Sequence, residues 1–160
     1  MTEDRLDGGA VHLSVEQPDS PAARYCLERY FAELAARFET GYDPALGIPA
    51  TPAELTPPRG YFVLATLNGA PVGCGALKCH ATHGEIKRMW VASSARGLGL
   101  GTRILLRLED LARQQGLPLL RLETNKALTE AQSLYRHNGF REVPAFNDEP
   151  YAHLWFEKAL

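Results

Sequence analysis

The chain has 160 residues, 45% hydrophobic and 22% charged, which is the make-up of one folded domain and excludes fibrous and intrinsically disordered classes. A formal net charge of −2 gives no general attraction for nucleic acid or anionic lipid. Three cysteines, Cys26, Cys74 and Cys79, are too few and odd in number for a disulfide framework; with a polar start and no run near the ~20 apolar residues that span a bilayer, the expected location is the reducing cytoplasm.

Residues 1–10 are expected to be a disordered N-terminus of a single domain spanning 1–160. Next, "VHLSV" (residues 11–15) alternates as a short strand does. Ser20 and Pro21 then provide an N-cap and a first helical position, and Leu27, Tyr30, Phe31, Leu34, Ala35 and Phe38 recur on one helical face. Residues 41–60, rich in proline and glycine, predict a long loop and a possible substrate wall. "YFVLATL" and "PVGCGALKC" flank Asn68-Gly69, a two-residue hairpin signal. A further strand, "GEIKRMWV", leads into "VASSARGLGLGTRILLRLED". There Ile104, Leu105, Leu108, Leu111 and Ala112 predict an amphipathic helix that ends at Gly116 before Pro118. "LLRLET" reads as a buried strand. A short helix follows over residues 130–137, with Thr129 and Gln132 at capping-box spacing, and "FREV" and "YAHLWFEKAL" supply one or two last strands. An exposed final strand would be able to pair with a second copy, so both monomer and homodimer are open.

The glycines before the long helix have a physical reading. A helix N-terminus presents unpaired N–H groups and the positive end of the helix dipole, which favour an anion. Glycines ahead of it permit unusual backbone angles and close approach of a ligand, and Arg96 and Arg103 are placed to add charge-assisted contacts. The stretch is not a P-loop, because no Lys follows Gly101; Arg103 stands after Thr102. Nor does it complete a dinucleotide fingerprint, whose third glycine would fall on Thr102.

"RGLGLG", Arg96 to Gly101, does match the pattern Arg-x-x-Gly-x-Gly, and "EAQSLYRHNGF" supplies a tyrosine followed by Gly-Phe. On these two motifs, from about Tyr61 to Leu160, the sequence resembles the GNAT family of N-acetyltransferases. The resemblance implies an α/β (α+β) fold with a mixed, mostly antiparallel central sheet flanked by helices, its central strands splayed around the pantetheine arm of acetyl-CoA. It implies that Met89, Trp90 and Val91 offer backbone hydrogen bonds to that arm. The amides of Arg96, Gly97, Leu98, Gly99, Leu100, Gly101 and Thr102 would hold the pyrophosphate, with Asn125 on the pantetheine or, alternatively, in a turn. Glu85 resembles the glutamate that acts as base in some members, and Tyr135 the tyrosine beside the coenzyme A sulfur. The expected activity is direct acetyl transfer from acetyl-CoA to a primary amine of a small molecule, without metal, nucleic acid or membrane. The alternatives are a non-catalytic acyl-CoA sensor on the same fold and a binder of some other phosphate ligand.

Three further groups of residues invite chemistry. Cys74, Cys79, His80 and His83 share one hairpin, but an odd separation puts the two cysteines on opposite faces of a regular strand, so no metal is expected. His137 and His153 read as surface or packing residues. Asp43, Glu54, Asp148 and Glu149 lie in the two loops expected to border the acceptor, where they would attract a cationic amine or remain solvated loop charge.

Overall fold

The structure, a computed structural model, describes residues 2–6 and 9–160, with side chains from residue 10 onward. Eight strands form one sheet: β1 (Thr2–Leu6), β2 (Gly9–Glu16), β3 (Gly60–Leu67), β4 (Ala70–Cys79), β5 (Gly84–Val91), β6 (Leu119–Thr124), β7 (Arg141–Val143) and β8 (Leu154–Ala159). Their order is β1-β2-β3-β4-β5-β6-β8-β7. Every neighbouring pair is antiparallel except β5–β6. Two sequence expectations change here. Thr2–Leu6 pairs with β2 as a strand where a disordered terminus was expected, and the last strand lies inside the sheet between β6 and β7, so it offers no free edge.

Helices cover both faces, which is why "YFVLATL" is apolar without strict alternation. Phe62 and Leu64 of β3 turn to one side and pack with Ala23 and Cys26 of α1 (Pro21–Arg37). Val63 and Ala65 turn to the other and meet Ile104, Leu105 and Leu108 of α2 (Leu100–Gln114). Those three α2 side chains are wholly buried, each stabilising the fold by about 1.5–3 kcal/mol relative to exposure. Local chemistry sets the helix ends: Ser20 Oγ accepts from the Ala23 amide, and Gly116, at φ +73°, closes α2 with its amide on the Arg113 carbonyl. The third helix, α3 (Thr129–His137), departs from expectation. Leu128 is its N-cap, and Gln132 donates to the Asn125 and Lys126 carbonyls rather than closing a capping box. None of the described helices is long and apolar enough to cross a membrane.

Two irregularities of β5 create space on the sheet. Its pairing with β6 covers only Gly84–Leu120 and Glu85–Arg121, beyond which the strands diverge and residues 86–91 have no ladder partner on β6. Against β4 the register shifts between Cys74 and Ala76, so one residue too many stands on β5. Arg88 takes up the extra length at φ +57°, a left-handed conformation rare for a non-glycine residue and typical of a bulge beside a site.

Candidate active site

The divergence of β5 from β6 opens a cleft of 360 Å³. Residues 89–91 form one wall, Arg96, Gly97 and residues 99–102 form its end, and Tyr30 of α1 with Leu134 and Tyr135 of α3 form the other side. Gly97 and Gly99 sit at φ +85° and +75°, with open space where a Cβ would stand, so backbone angle rather than crowding requires glycine there. Gly101 is different: a Cβ would lie 3.3 Å from Leu134, so it lets α2 and α3 approach. No side chain caps α2, and a helix start left open in this way favours an anion. At the rim Arg96 pairs with Glu33, and Arg37 with Glu130 at 2.8 Å, bridging α1 to the glycine loop and to α3.

A second cavity, of 110 Å³, adjoins the first, and both are lined by Tyr30, Leu34, Met89, Leu128, Ala131 and Tyr135. Its remaining walls bring together segments far apart in sequence. Phe31 comes from α1 and Phe38 from its C-cap, Tyr42 and Ile48 from the 41–60 loop, Lys87 and Arg88 from the bulge, Glu123 from β6, and Glu149 and Tyr151 from the loop before β8. Aromatic rings bind these segments to one another: Tyr42 lies 4.7 Å from Tyr151 and 5.8 Å from Phe31 between centroids.

Of the residues singled out in the sequence, the cleft gathers Met89, Trp90, Val91, Arg96, Gly97, Gly99, Leu100, Gly101, Thr102 and Tyr135, with Tyr135 at the junction of the two cavities. Three lie elsewhere. Leu98 packs against the α2-side core. Asn125 lines the smaller cavity, but its amide donates to the Tyr151 carbonyl and accepts from the Ala127 amide, so it closes a turn. Glu85 borders neither cavity. Its oxygens meet His80 Nε2 at 2.8 Å and Lys87 Nζ at 3.2 Å; burial pushes its carboxyl upward, yet the Lys87 charge and the hydrogen bonds from His80 and Lys87 outweigh burial and hold it below its ordinary value. In this arrangement Glu85 is ion-paired and lines neither cavity.

Two carboxylates line the smaller cavity, Glu149 and Glu123, and the sequence reading passed over Glu123. Its side chain is 9% exposed, Oε1 is 3.8 Å from Lys87 Nζ, and Oε2 is buried with no hydrogen-bond partner among the described residues. Burial raises this carboxyl above its ordinary value, with the charges of Glu85 and Glu149 adding to the effect, and the Lys87 charge and a hydrogen bond from Asn147 opposing it. The signal was available: Glu123 is the acidic residue near the carboxyl end of a strand whose parallel neighbour ends in the glycine motif, where α/β sheets place ligands. Burial likewise pushes the Tyr135 phenol up, so it stays protonated at neutral pH. Of the four acidic loop residues, the cavity takes only Glu149; Glu54 pairs with Lys78 at 2.8 Å and Asp43 caps the Ala45 amide.

Residues 13–140 match the Acetyltransferase (GNAT) family. An IAA acetyltransferase of Azospirillum brasilense is 40% identical over 66% of this chain and 72% of its own length. An aminoalkylphosphonate N-acetyltransferase of Salmonella typhimurium is 32% identical over 93% of this chain and 89% of its own. A GNAT acetyltransferase from Elizabethkingia anophelis, solved with acetyl-CoA bound, superposes with a TM-score of 0.63 at 19% identity, covering 94% of this chain and 98% of that one. A splayed sheet with a glycine-built cradle, carried by a sequence that matches over four-fifths of its length, makes this chain a member of the GNAT family and an acyl-CoA-dependent N-acetyltransferase.

Proposed function

We propose that the protein transfers an acetyl group from acetyl-CoA directly to the primary amine of a small molecule, with Glu123 as the base. The observation that carries this reading is the junction of the two cavities at Met89 and Tyr135: one side has an anion cradle, the other an unpartnered buried carboxylate oxygen. The named relatives act on small molecules, and the Elizabethkingia neighbour holds acetyl-CoA, which supports both donor and acceptor class.

The residues fit the donor. Amides of Gly97, Leu98, Gly99, Leu100, Gly101 and Thr102 would hold the pyrophosphate with Arg96, and the unladdered backbone of Met89, Trp90 and Val91 would take the pantetheine arm as an added strand. When bound, acetyl-CoA supplies an electrophilic thioester carbonyl and a thiolate leaving group. An ammonium has no lone pair, so the amine must lose a proton before attack, and Glu123, with its carboxyl raised toward working pH, takes it. A backbone N–H near Val91 stabilises the charge on the carbonyl oxygen. Tyr135 donates a hydrogen bond to the departing sulfur. Its own raised value makes it a donor rather than a strong acid, so its role is to stabilise the thiolate. None of the three cysteines lines either cavity, which favours direct transfer over a cysteine-bound acyl group.

The test is thiol release from acetyl-CoA, followed with and without small primary amines, with N-acetyl product identified by mass and thermal stabilisation by acetyl-CoA compared with ATP and NADH. Amine-dependent release and a shift selective for coenzyme A forms are expected. Equal shifts with ATP and NADH, or thiol release that no amine accelerates, would overturn the reading.

A further inference from the structure

The smaller cavity contains an unbalanced cation. Arg88 is presented there by the bulge, donates to the Ala50 carbonyl at 3.3 Å and places its guanidinium 5.3 Å from the Phe31 ring centroid. It has no carboxylate within ion-pair distance among the described residues. Lys87, its neighbour in sequence, is by contrast already matched by Glu85 and Glu123. A guanidinium carries five donors in a planar fork, and one carbonyl and one ring face leave most of them unused.

Opposite charges are present in the same cavity and do not meet it. Glu123 Oε2 and Glu149 Oε2 are both buried without hydrogen-bond partners, while Glu149 Oε1 accepts from the Ile48 amide and is thereby fixed. Leaving such oxygens unmatched is costly, and the same holds for a half-buried guanidinium. No ladder joins the stretch of β5 that carries Arg88 to β6, which carries Glu123. At 110 Å³ and open to the adjoining cleft, the cavity suits a short, narrow chain rather than a bulky one.

Building on the acetyltransferase reading above, we infer that the acceptor is a short zwitterion, its ammonium between Glu123 and Glu149 and its acid group, a carboxylate or a tetrahedral oxyacid, on the Arg88 guanidinium. This arrangement fixes the amine at a set distance from its acid end and points it at the junction with the donor cleft. Arg88 is therefore a specificity residue and takes no part in bond making.

The experiment measures kcat/KM for two matched pairs, β-alanine against propylamine and O-phosphoethanolamine against ethanolamine, in the wild-type protein and in Arg88→Gln and Arg88→Lys. The wild type should favour the acid-bearing member of at least one pair by about ten- to a hundredfold, the worth of a charge-assisted fork contact. The pair that responds tells carboxylate from tetrahedral oxyacid. Arg88→Gln should collapse that ratio toward one, mainly through KM, and Arg88→Lys should restore part of it. A wild type that prefers neutral amines, or that acetylates none of the four while acetyl-CoA still stabilises it, overturns the inference and leaves the acetyltransferase reading standing. An Arg88→Gln protein with lowered thermal stability and an unchanged ratio also overturns it, because Arg88 is then only a strut between Phe31 and Ala50. Absence of any acetyl-CoA stabilisation would overturn the underlying reading as well.

Discussion

The two adjoining cavities that meet at Tyr135 are built from different materials. The larger one has backbone at one end and along one wall: left-handed glycines, a helix start without a side-chain cap, and a strand edge released from its ladder. The smaller one is mainly side chain, with charges and rings delivered by α1, the 41–60 loop, two strands and the loop before β8. A site made of amides can be altered only by changing the path of the chain, and it is indifferent to most substitutions. A site made of side chains changes with a single residue. One fold can thereby keep a fixed donor while its acceptor varies.

Substitutions test that contrast, and the largest effect should come from the side-chain site. Glu123→Gln should lower kcat by about 10²–10⁴ at neutral pH and leave acetyl-CoA affinity nearly unchanged, because only the base is lost. In the wild type, kcat/KM should fall as pH drops through a value above the ordinary carboxylate 4.5, since the raised Glu123 carboxyl must be ionised to work; Glu123→Gln should lose that limb. A limb that survives the substitution assigns the base elsewhere. Tyr135→Phe should reduce kcat by about tenfold or more without weakening the donor, the loss of one donor aimed at a developing charge. Normal turnover with a lowered Tm would make Tyr135 a packing residue. For the backbone site, Gly99→Ala should weaken acetyl-CoA by about five- to thirtyfold, as a left-handed alanine costs roughly 1–2 kcal/mol. Isothermal titration would show it, and an unchanged Kd would mean that the loop's angle is not what holds the donor. The smallest effect is expected from Glu85→Gln: turnover within about twofold across the pH range, given that Glu85 borders neither cavity.

The same contrast explains what could be read in advance. "RGLGLG" is legible because its chemistry is contiguous, and Asn68-Gly69 because both residues take the positive φ that the hairpin turn demands. The bulge at Arg88 leaves no trace in "EIKRMWV", since an inserted residue needs no special side chain when the surrounding ladder imposes it. Without the bulge, alternation assigns Trp90 to the same face as Ile86; with it, Trp90 packs on the α1 side while Met89 packs on the α2 side. The apolar stripe of α1 marks a helix but not what it faces: Leu34 is buried, whereas Tyr30 and Phe31 are half-buried and line a cavity. Glu123 and Glu149 belong together only after β8 has inserted beside β6, a pairing that joins residues some 30 positions apart and has no local signature.

The ion pairs at the rim of the donor cleft have a consequence for salt. Arg96 with Glu33, and Arg37 with Glu130, are exposed enough to be screened at physiological ionic strength, where the Debye length is about 8 Å. Added salt weakens the pull of the glycine loop and Arg96 on an incoming polyanion. It equally weakens the carboxylates that compete for those arginines and the bridges that draw α1 toward α3. The two effects oppose each other, so donor affinity should vary less steeply with ionic strength than it would at a helix end flanked by unpaired arginines.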